Sequence, residues 1–544
     1  MKYTAITIGP TLKTLQLARK TRELWGASYL LSYICKELIQ QIRIKDNKCS
    51  FIVPYVPKDE ITDFYKPQIG AGLFPDRIIF EDNLPEGSLE EIKTELLTTL
   101  AERITNKIKE DEDKVAKYLN QYFRIEHITK EYNDILPVIS IQNYLDTAEL
   151  QCKLVENDSQ NYISTFLNKI TNSFLTEEAF SREVIKDGNI RGKCFPSIPE
   201  LASAQFRTIN SDVWEIAQKD LYEKLNQKKE ETRENLFYDI FKGHDNTKND
   251  FRTYHKYVAI VQADGDSVGE LIRSFENGEV EKSKIEIADL SKNLFEFAKQ
   301  SVEKISKYGG ECIYAGGDDL LFMAPVVGSQ KENNNYQNIF DLINTLSTDF
   351  QQRLPEQNII KEGTSINVKP TLSFGVSISY YKFPLQEALS EATSQLFEKA
   401  KKTEGKNAVA LRVLKHSGQY FDTIFKKNTE AYNIFCYLMS IYTQQNDDNN
   451  FLMSVIKKIY DNTDRIIAIY ENENKDSEKF RQRLQFTFNS EFNNDIHTIY
   501  EDLTTGIINL TVSAFKIQTP ANAMKMVYAA LRFIKFLIRK DTDE

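Results

Sequence analysis

Short apolar runs that flank a polar turn identify the stretch around which the chain is organised. Two short apolar runs, Cys312–Ala315 and Leu320–Met323, flank Gly316-Gly317-Asp318-Asp319. Paired glycines between strand-like runs predict a tight hairpin, because glycine adopts positive φ without steric cost. Upstream, the β-branched run Tyr257–Ala263 ends in Asp264-Gly265-Asp266-Ser267. This pattern predicts a buried strand followed by a polar turn.

The elements around the hairpin predict one mixed sheet. Helical spacing covers Val268–Phe275 and continues from Ile287 to Ile305. Helix, strand, helix and strand then follow in turn, at Tyr336–Phe350, Pro370–Ser379, Leu385–Lys402 and Ala408–Val413. A right-handed crossover leaves room for one strand between Tyr257–Ala263 and the first hairpin strand. If the second hairpin strand fills that gap, the hairpin tip lies beside Asp264.

This topology brings carboxylates together at one edge of the sheet. Asp264, Asp318 and Asp319 are the candidate ligands of two Mg²⁺ or Mn²⁺ ions, which two-metal sites hold about 3.5–4 Å apart. Asp266 is a weaker candidate, since strand alternation could aim it elsewhere, and a turn or cap role is the alternative. Two carboxylates about 4 Å apart repel by about 4 kcal/mol at an effective dielectric near 20. A bound cation explains such a pair, and a solvated Gly-Asp turn is the alternative.

A weaker copy of the same pattern begins the chain. Tyr3–Pro10 (YTAITIGP) matches Tyr257–Asp264 (YVAIVQAD) at its Tyr, Ala and Ile positions, but proline replaces the final aspartate. A long helical pattern and the strand-like stretches Cys49–Val56 and Arg77–Phe80 follow, without Gly-Gly-Asp-Asp. The pattern indicates an internal duplication whose first copy has lost its metal-binding residues.

Composition narrows the functional class. The chain has 544 residues and 41% hydrophobic residues, enough for three or four domains with real cores. Its net charge of −10 argues against bulk electrostatic nucleic-acid binding. Six cysteines without CxxC spacing predict a reduced cytoplasmic protein with neither zinc nor a disulfide framework. No secretory signal or membrane span is expected.

The motifs resemble those of a known family. The order of elements is similar to the palm of nucleotide cyclases and polymerases, and LSFGVSIS, FPLQEALSEATSQLFEKAKK and GKNAV resemble GGDEF-type cyclases. GGDD combined with DGDSVG resembles the large polymerase subunit of type III CRISPR effector complexes. ARKTRELWGASYLLS, GLFPDR and FPSIPELA resemble its type III-B form.

The resemblance implies an α+β fold with two ferredoxin-like, nucleotide-cyclase-type palms. The implied domains are a degenerate first palm (1–150), a helical linker domain (151–252), a catalytic GGDD palm (253–415) and a C-terminal helical bundle (416–544). The bundle helices are expected at Tyr420–Tyr442, Phe451–Glu471, Ser477–Phe488, Asp495–Ala514 and Ala521–Arg539. His244-Asp245 is interpreted as part of a loop, so the HD nuclease domain of many relatives is not expected.

Several residues acquire expected roles beside the aspartates. Gly316 and Gly317 would let the backbone approach the nucleotide closely. Lys406 resembles a phosphate-contacting residue of GGDEF proteins, and either Lys401 or Lys402 would be its partner. A solvated lysine at a helix end is the alternative for each. Ser267 would either cap the following helix or contact a ribose.

The expected function is an ATP-using nucleotidyltransferase of a type III CRISPR antiviral effector, activated by target RNA and producing a second messenger. By resemblance the product is cyclic oligoadenylate or an AMP conjugate of S-adenosylmethionine. Expected partners are the guide-tag-capping subunit and small helical subunits, with guide and target RNA held mainly by the complex. The alternatives are a GGDEF-like diguanylate cyclase and a non-catalytic scaffold subunit.

Overall fold

A computed structural model gives the fold of the chain. It describes residues 1–57, 71–133, 137–150, 160–169, 184–186, 189–191, 195–209, 251–279, 287–332, 335–361, 364–444, 449–491 and 498–539. The loop containing His244-Asp245 lies outside these residues.

The first palm is a four-stranded antiparallel sheet in the order β2-β3-β1-β4. Its strands are β1 (Lys2–Gly9), β2 (Phe51–Val53), β3 (Arg77–Glu81) and β4 (Arg124–Glu131). Its helices are α1 (Thr11–Gln16), α2 (Thr21–Lys45), α3 (Ser88–Ile108), α4 (Glu112–Tyr122) and α5 (Ile139–Glu149). The long α2 is buried along most of its length, in a core that the first palm shares with one face of the second-palm sheet.

Short elements join the two palms. They are α6 (Tyr162–Lys169), β5 (Val184–Lys186), β6 (Asn189–Arg191), α7 (Ile198–Ala202), α8 (Ala204–Ile209) and a 3₁₀ turn at Thr253–Lys256. His255 in that turn is buried against Gln205 of α8 at 2.8 Å, which anchors the linker to the second palm.

The second palm is a six-stranded sheet in the order β16-β15-β14-β7-β9-β8. Its strands are β7 (Tyr257–Asp266), β8 (Glu311–Gly316), β9 (Asp319–Pro325), β14 (Thr371–Tyr380), β15 (Ala408–Leu414) and β16 (Tyr420–Lys426). Two small hairpins lie outside this sheet, β10 (Val327–Glu332) with β11 (Asn335–Asn338) and β12 (Gln357–Lys361) with β13 (Thr364–Val368). The second hairpin strand β9 lies between β7 and β8, as predicted. The α+β class with two palms is confirmed.

The helices of the second palm pack on both faces of this sheet. They are α9 (Val268–Glu276), α10 (Ile287–Tyr308), α11 (Ile339–Arg353) and α12 (Leu385–Ser394), which continues as a π-helix over Gln395–Ala400. The bundle that follows contains α13 (Glu430–Gln444), α14 (Asn449–Asp461), α15 (Thr463–Asn472), α16 (Ser477–Glu491), α17 (Thr498–Ile517) and α18 (Pro520–Ile538).

Two sequence expectations were wrong. The chain after Val413 is not wholly helical, because Tyr420–Lys426 forms β16 and pairs antiparallel with β15 through a turn that contains Gly418 at φ 78°. Helix Tyr336–Phe350 was placed too early, since Asn335–Asn338 forms a strand and Asn338 then caps α11 by accepting from the Phe340 amide at 2.9 Å. The predicted domain boundaries themselves stay predictions.

The two palms meet along the outer hairpin strand. Ser28 of α2 donates to the Ile313 carbonyl at 2.8 Å, and the Ala315 amide donates to Gly72 at 2.8 Å. The first palm therefore contacts β8, the strand that leads into Gly-Gly-Asp-Asp.

Within the part of the chain that the structure describes, no helix combines the length and apolarity that crossing a bilayer requires.

Candidate active site

The Gly-Gly-Asp-Asp sequence forms a two-residue turn. Gly316 pairs with Asp319, so Gly317 and Asp318 occupy the turn positions. Gly317 has φ 66°, the left-handed conformation that favours glycine. Asp318 therefore projects from the tip of the hairpin, and Asp319 is the first residue of β9.

The register places Asp264 beside this turn. Ala263 pairs with Leu320, so the end of β7 reaches the hairpin tip. Asp264 and Asp319 are close enough to share a proton. Burial, and then the charge of Asp264, raises the pKa of Asp318 to about 6. The structure thus brings together Asp264, Asp318 and Asp319.

Asp319 also has a pKa raised well above its ordinary value, by loss of solvent around its carboxyl group and then by the charges of Asp318 and Asp264. Because the residue is exposed to solvent, we attribute the shift mainly to repulsion between carboxylates. Such a cluster favours either a proton or a bound cation.

Lys401 is the counter-charge of the cluster. Its ammonium forms an ion pair with Asp264, lies 2.9 Å from Asp266 Oδ1 and donates to the Gly265 carbonyl at 2.5 Å. Burial lowers the pKa of Lys401, but the charges of Asp264 and Asp266 outweigh it and raise the pKa above its usual value. Lys401 is therefore a charged part of the site.

Asp266 is held in a structural network. Its Oδ2 accepts from the hydroxyls of Thr371 and Ser373, both at 2.8 Å, and from the Asn407 amide at 3.0 Å. The other oxygen, Oδ1, lies 2.9 Å from the Lys401 ammonium but has no hydrogen-bond partner among the described residues, and Asp266 is only 2% exposed. These bonds suit Asp266 to positioning Lys401. A role for Asp266 as a metal ligand through Oδ1, which would replace the ion pair with Lys401, stays a prediction.

The glycines of the site are required by close approach of side chains. A Cβ on Gly265 would lie 2.7 Å from Asp318 Cβ and 2.8 Å from Val268 Cγ2. A Cβ on Gly316 would overlap the ring of Tyr314. Gly265 thus lets the hairpin tip reach β7. Neither Gly265 nor Tyr314 was singled out by the sequence, because only the register reveals their contacts.

The remaining predicted residues lie around this centre. Ser267 has φ 63°, and its side chain does not cap α9. Lys402 is exposed, so of the two adjacent lysines it is Lys401 that reaches the aspartates. Lys406 is exposed in a tight turn at φ 47°, with its amide bonded to Thr403 at 2.8 Å. Contacts of Ser267, Lys402 and Lys406 with a nucleotide stay predictions.

The donor set fits a divalent cation whose coordination is completed by a substrate. Among the described residues, no three carboxylate, thiol or imidazole side chains are gathered around one point as a closed metal cage. Mg²⁺ is usually bound by one or two carboxylates, water and substrate phosphates rather than by a cage of protein ligands. Such carboxylates are available here from Asp319, which is exposed, from Asp264, which is partly exposed, and from Asp318 at the hairpin tip.

The first palm has a cavity at the matching edge of its sheet. It has a volume of about 210 Å³ and is bordered by the end of β1 and the starts of β3 and β4. Three carboxylates line it, those of Asp76, Glu126 and Glu149, together with Arg124. Half-buried Tyr314 forms a β-bridge with Gly72 of the first palm, and burial followed by the charges of Asp319 and Asp76 raises its pKa.

Comparison with known proteins agrees with the two-palm architecture. Residues 257–410 match the Cas10/Cmr2 second palm domain, and residues 3–117 match the N-terminal region of the CRISPR-associated protein Cmr2. The CRISPR system Cmr subunit Cmr2 of Pyrococcus furiosus is 30% identical over 185 residues, or 30% of this chain. The match spans about a fifth (19%) of that relative's length.

Two solved structures match much of this chain at low sequence identity and at TM-scores below 0.5. The Csm1–Csm4 cassette in complex with cA4 is similar at 12% identity and TM-score 0.48, over 99% of this chain and 70% of that one. The type III-B Cmr-beta complex bound to cognate target RNA gives 13% identity and TM-score 0.45, over 79% and 70%.

Proposed function

Because the chain resembles the Cas10-like palm subunit of type III CRISPR effector complexes, we propose that it is a nucleotidyltransferase that makes an adenylate second messenger from ATP. The observation that supports this activity is the meeting of Asp264, Asp318 and Asp319 at the ends of neighbouring strands. A purely structural palm has no need for three mutually repelling carboxylates at one sheet edge.

Asp264, Asp318 and Asp319 would hold the divalent cations. When bound, such ions lower the pKa of an attacking hydroxyl and neutralise the charge of a triphosphate. Two neighbouring residues support these aspartates. Gly317 lets the hairpin turn present Asp318, and Lys401 holds Asp264 in place with an ammonium that is also suited to a phosphate oxygen.

The first-palm cavity is the proposed acceptor site. The first palm lacks the aspartate that corresponds to Asp264, so it can bind a nucleotide without activating one. Three carboxylates, those of Asp76, Glu126 and Glu149, face two cations, Arg124 in the lining and Arg77, which pairs with Glu149. The remaining negative charge would disfavour a second triphosphate and attract a cationic adenosine compound. This charge pattern favours S-adenosylmethionine over a second ATP as acceptor, and an AMP conjugate over cyclic oligoadenylate as product.

The proposed setting follows from the family resemblance. The chain would assemble with a guide-tag-capping subunit and small helical subunits in the cytoplasm, and target RNA in the complex would activate synthesis. A diguanylate cyclase is the enzyme alternative. It would normally pair two copies of one palm, whereas this chain carries both palms itself.

The test uses the assembled complex with labelled ATP, Mg²⁺ and target RNA, with and without S-adenosylmethionine. We expect an adenylate product identified by mass spectrometry. The double variant Asp318→Ala, Asp319→Ala should abolish it while RNA binding is kept, and Asp502→Ala, an exposed aspartate of the bundle, should leave it unchanged. Continued synthesis by the double variant would overturn the assignment, and product from GTP alone would favour the diguanylate alternative.

A further inference from the structure

A carboxylate of the second palm caps a helix of the first palm. Glu276 is the last residue of α9, and it accepts hydrogen bonds from the first two amides of α5. Its Oε2 accepts from the Ile139 amide at 2.8 Å, and its Oε1 accepts from the Ser140 amide at 3.0 Å. Both oxygens of one side chain therefore bind the same helix end, which belongs to the other palm.

The first turn of α5 has no cap from its own sequence. Val138 at the N-cap position makes no capping hydrogen bond, and the first turn contains no acidic residue. The first amides of a helix have no partner within it, and this end carries the positive pole of the helix dipole. The hydroxyl oxygen of Ser140 is shielded from solvent and has no hydrogen-bond partner among the described residues. Water is therefore a poor substitute for the Glu276 carboxylate at this packed helix end.

Apolar packing joins the same two helices. Ile272 of α9 packs against the core of the second palm and also against a small apolar cluster of the first palm. Ile272 and Glu276 are four residues apart, so they lie on one face of α9. The helices are therefore held together by apolar contact as well as by the carboxylate. The cluster consists of Tyr3, Ala5, Ile52, Ile79, Val138, Ile141 and Leu145.

The start of α9 belongs to the candidate active site. The helix begins at Val268, two residues after Asp266. Val268 is buried, and its Cγ2 would lie only 2.8 Å from a Cβ on Gly265. With nine residues, α9 is about 14 Å long at the usual rise per residue. One short helix therefore connects the strand end that carries the site aspartates to Glu276.

The far end of α5 belongs to the first-palm cavity. Ala148 and Glu149 line this cavity. Glu149 Oε1 accepts from the Thr7 hydroxyl at 2.6 Å and from Arg77 Nη2 at 2.9 Å, and the Glu149 carbonyl accepts from Arg124. Helix α5 is thus fixed by the second palm at its start and by the cavity wall at its end.

We propose that Glu276 is a positioning residue that couples the candidate active site to the first-palm cavity. A nucleotide that orders the active site fixes α9, the Glu276 carboxylate then fixes α5, and α5 fixes the cavity wall that contains Glu149. Ordering one site lowers the entropy cost of binding at the other, so each ligand strengthens the binding of the other. The identity of the two ligands rests on the proposed function, whereas the contact between the helices does not.

Other hydrogen bonds between the palms reach different parts of the first palm. Ile313 and Ala315 of β8 bond with α2 and with the loop before β3, and Gln386 of α12 donates to the Leu15 carbonyl at 3.1 Å. These three bonds do not end on α5. Replacing Glu276 therefore tests the proposed route without removing them.

The first test is hydrogen–deuterium exchange of the isolated full-length chain without ligand, measured by mass spectrometry. Glu276→Gln keeps the size of the side chain but turns an amide group toward one of the two helix amides. Glu279→Gln is the matched control, because the Glu279 carboxylate bonds to Asn277 of its own segment at 3.3 Å. We expect Glu276→Gln to speed exchange at the start of α5 at least about fivefold and the control to change it less than about twofold. Wild-type exchange of α5 in Glu276→Gln would overturn the proposal.

The second test measures the coupling itself. Isothermal titration gives the affinity for S-adenosylmethionine with and without Mg²⁺ and α,β-methylene-ATP, whose bridging carbon prevents adenylyl transfer. The analogue should tighten binding at least about fivefold in the wild type and in Glu279→Gln, but less than about twofold in Glu276→Gln. A purely structural defect would weaken binding by the same factor with and without the analogue. A wild type without coupling, or equal coupling in Glu276→Gln and the control, would overturn the proposal.

Failure of the proposed function gives a different result. A wild type that does not bind one of these ligands would contradict the proposed function, and Gly265→Ala then serves as the perturbation of the active site. Its new methyl group collides with Val268 at the start of α9. It should speed exchange of α5 in the wild-type background and add nothing in the Glu276→Gln background. Equal effects in both backgrounds, or no effect in either, would overturn the inference.

Discussion

The contacts of Lys401 allow a quantitative prediction for Lys401→Met. This change removes the ammonium between Asp264 and Asp266 while keeping a long side chain. Removing one partner of a buried ion pair typically costs about 3–5 kcal/mol. Asp264 is 24% exposed, and Asp266 keeps three other donors, so both carboxylates remain partly solvated or bonded. We therefore expect a smaller loss, about 2 kcal/mol.

That loss corresponds to a fall in melting temperature of about 4–8 °C for a domain of 150–250 residues. Differential scanning fluorimetry of the full chain measures it, with Lys402→Met as the matched control because Lys402 is the exposed neighbour. Isothermal titration with ATP and Mg²⁺ adds a functional readout, in which Lys401→Met should bind more weakly than the control. Equal melting temperatures and equal ATP affinities for the two variants would refute the central position of Lys401.

Two further predictions concern packing and buried charge. Gly265→Ala should lower the melting temperature and weaken Mn²⁺ binding measured by electron paramagnetic resonance, because the new methyl group collides with Asp318 and Val268 at 2.7–2.8 Å. Gly269→Ala, which has open space around its Cβ position, is the control and should stabilise α9 by about 0.5–1 kcal/mol. Burial lowers the pKa of Lys427 to about 7, so between pH 7 and about 10.4 the unfolded chain binds more protons and stability rises with pH. Lys427→Met should raise the melting temperature at pH 7 and remove that rise between pH 7 and 9, and a variant that keeps the wild-type slope would contradict this.

The sequence predicted the hairpin and its neighbours well because their signals are local. Apolar runs, paired glycines and a right-handed crossover suffice to place β9 between β7 and β8.

Strand β16 was missed for a physical reason. Its alternating sequence carries Asp422 and Lys426, and Asp422 is buried only because three cations from other elements surround it. Such long-range pairing leaves no local pattern.

The choice between Lys401 and Lys402 also depended on tertiary geometry. Helix α12 changes to a π-helix over Gln395–Ala400, immediately before both lysines. A π turn contains more residues than an α turn, so it changes which side chain faces the sheet. A Cβ on Gly375 would lie 2.8 Å from Leu396 Cβ, which shows how closely this segment lies on β14. Helical periodicity assumes 3.6 residues per turn throughout and therefore could not decide between the two.

The two aspartates of β7 illustrate how one strand can supply both a fixed and an available carboxylate. Asp264 and Asp266 are two residues apart and share a face, and Lys401 contacts both. The polar start of β14 bonds only to Asp266, whose Oδ2 accepts from the hydroxyls of Thr371 and Ser373. Because Asp266 holds one side of Lys401, a nucleotide bound as proposed would let the ammonium exchange Asp264 for a phosphate oxygen without leaving the site. Asp264 would then be released toward a cation at the moment the nucleotide supplies a replacement for it.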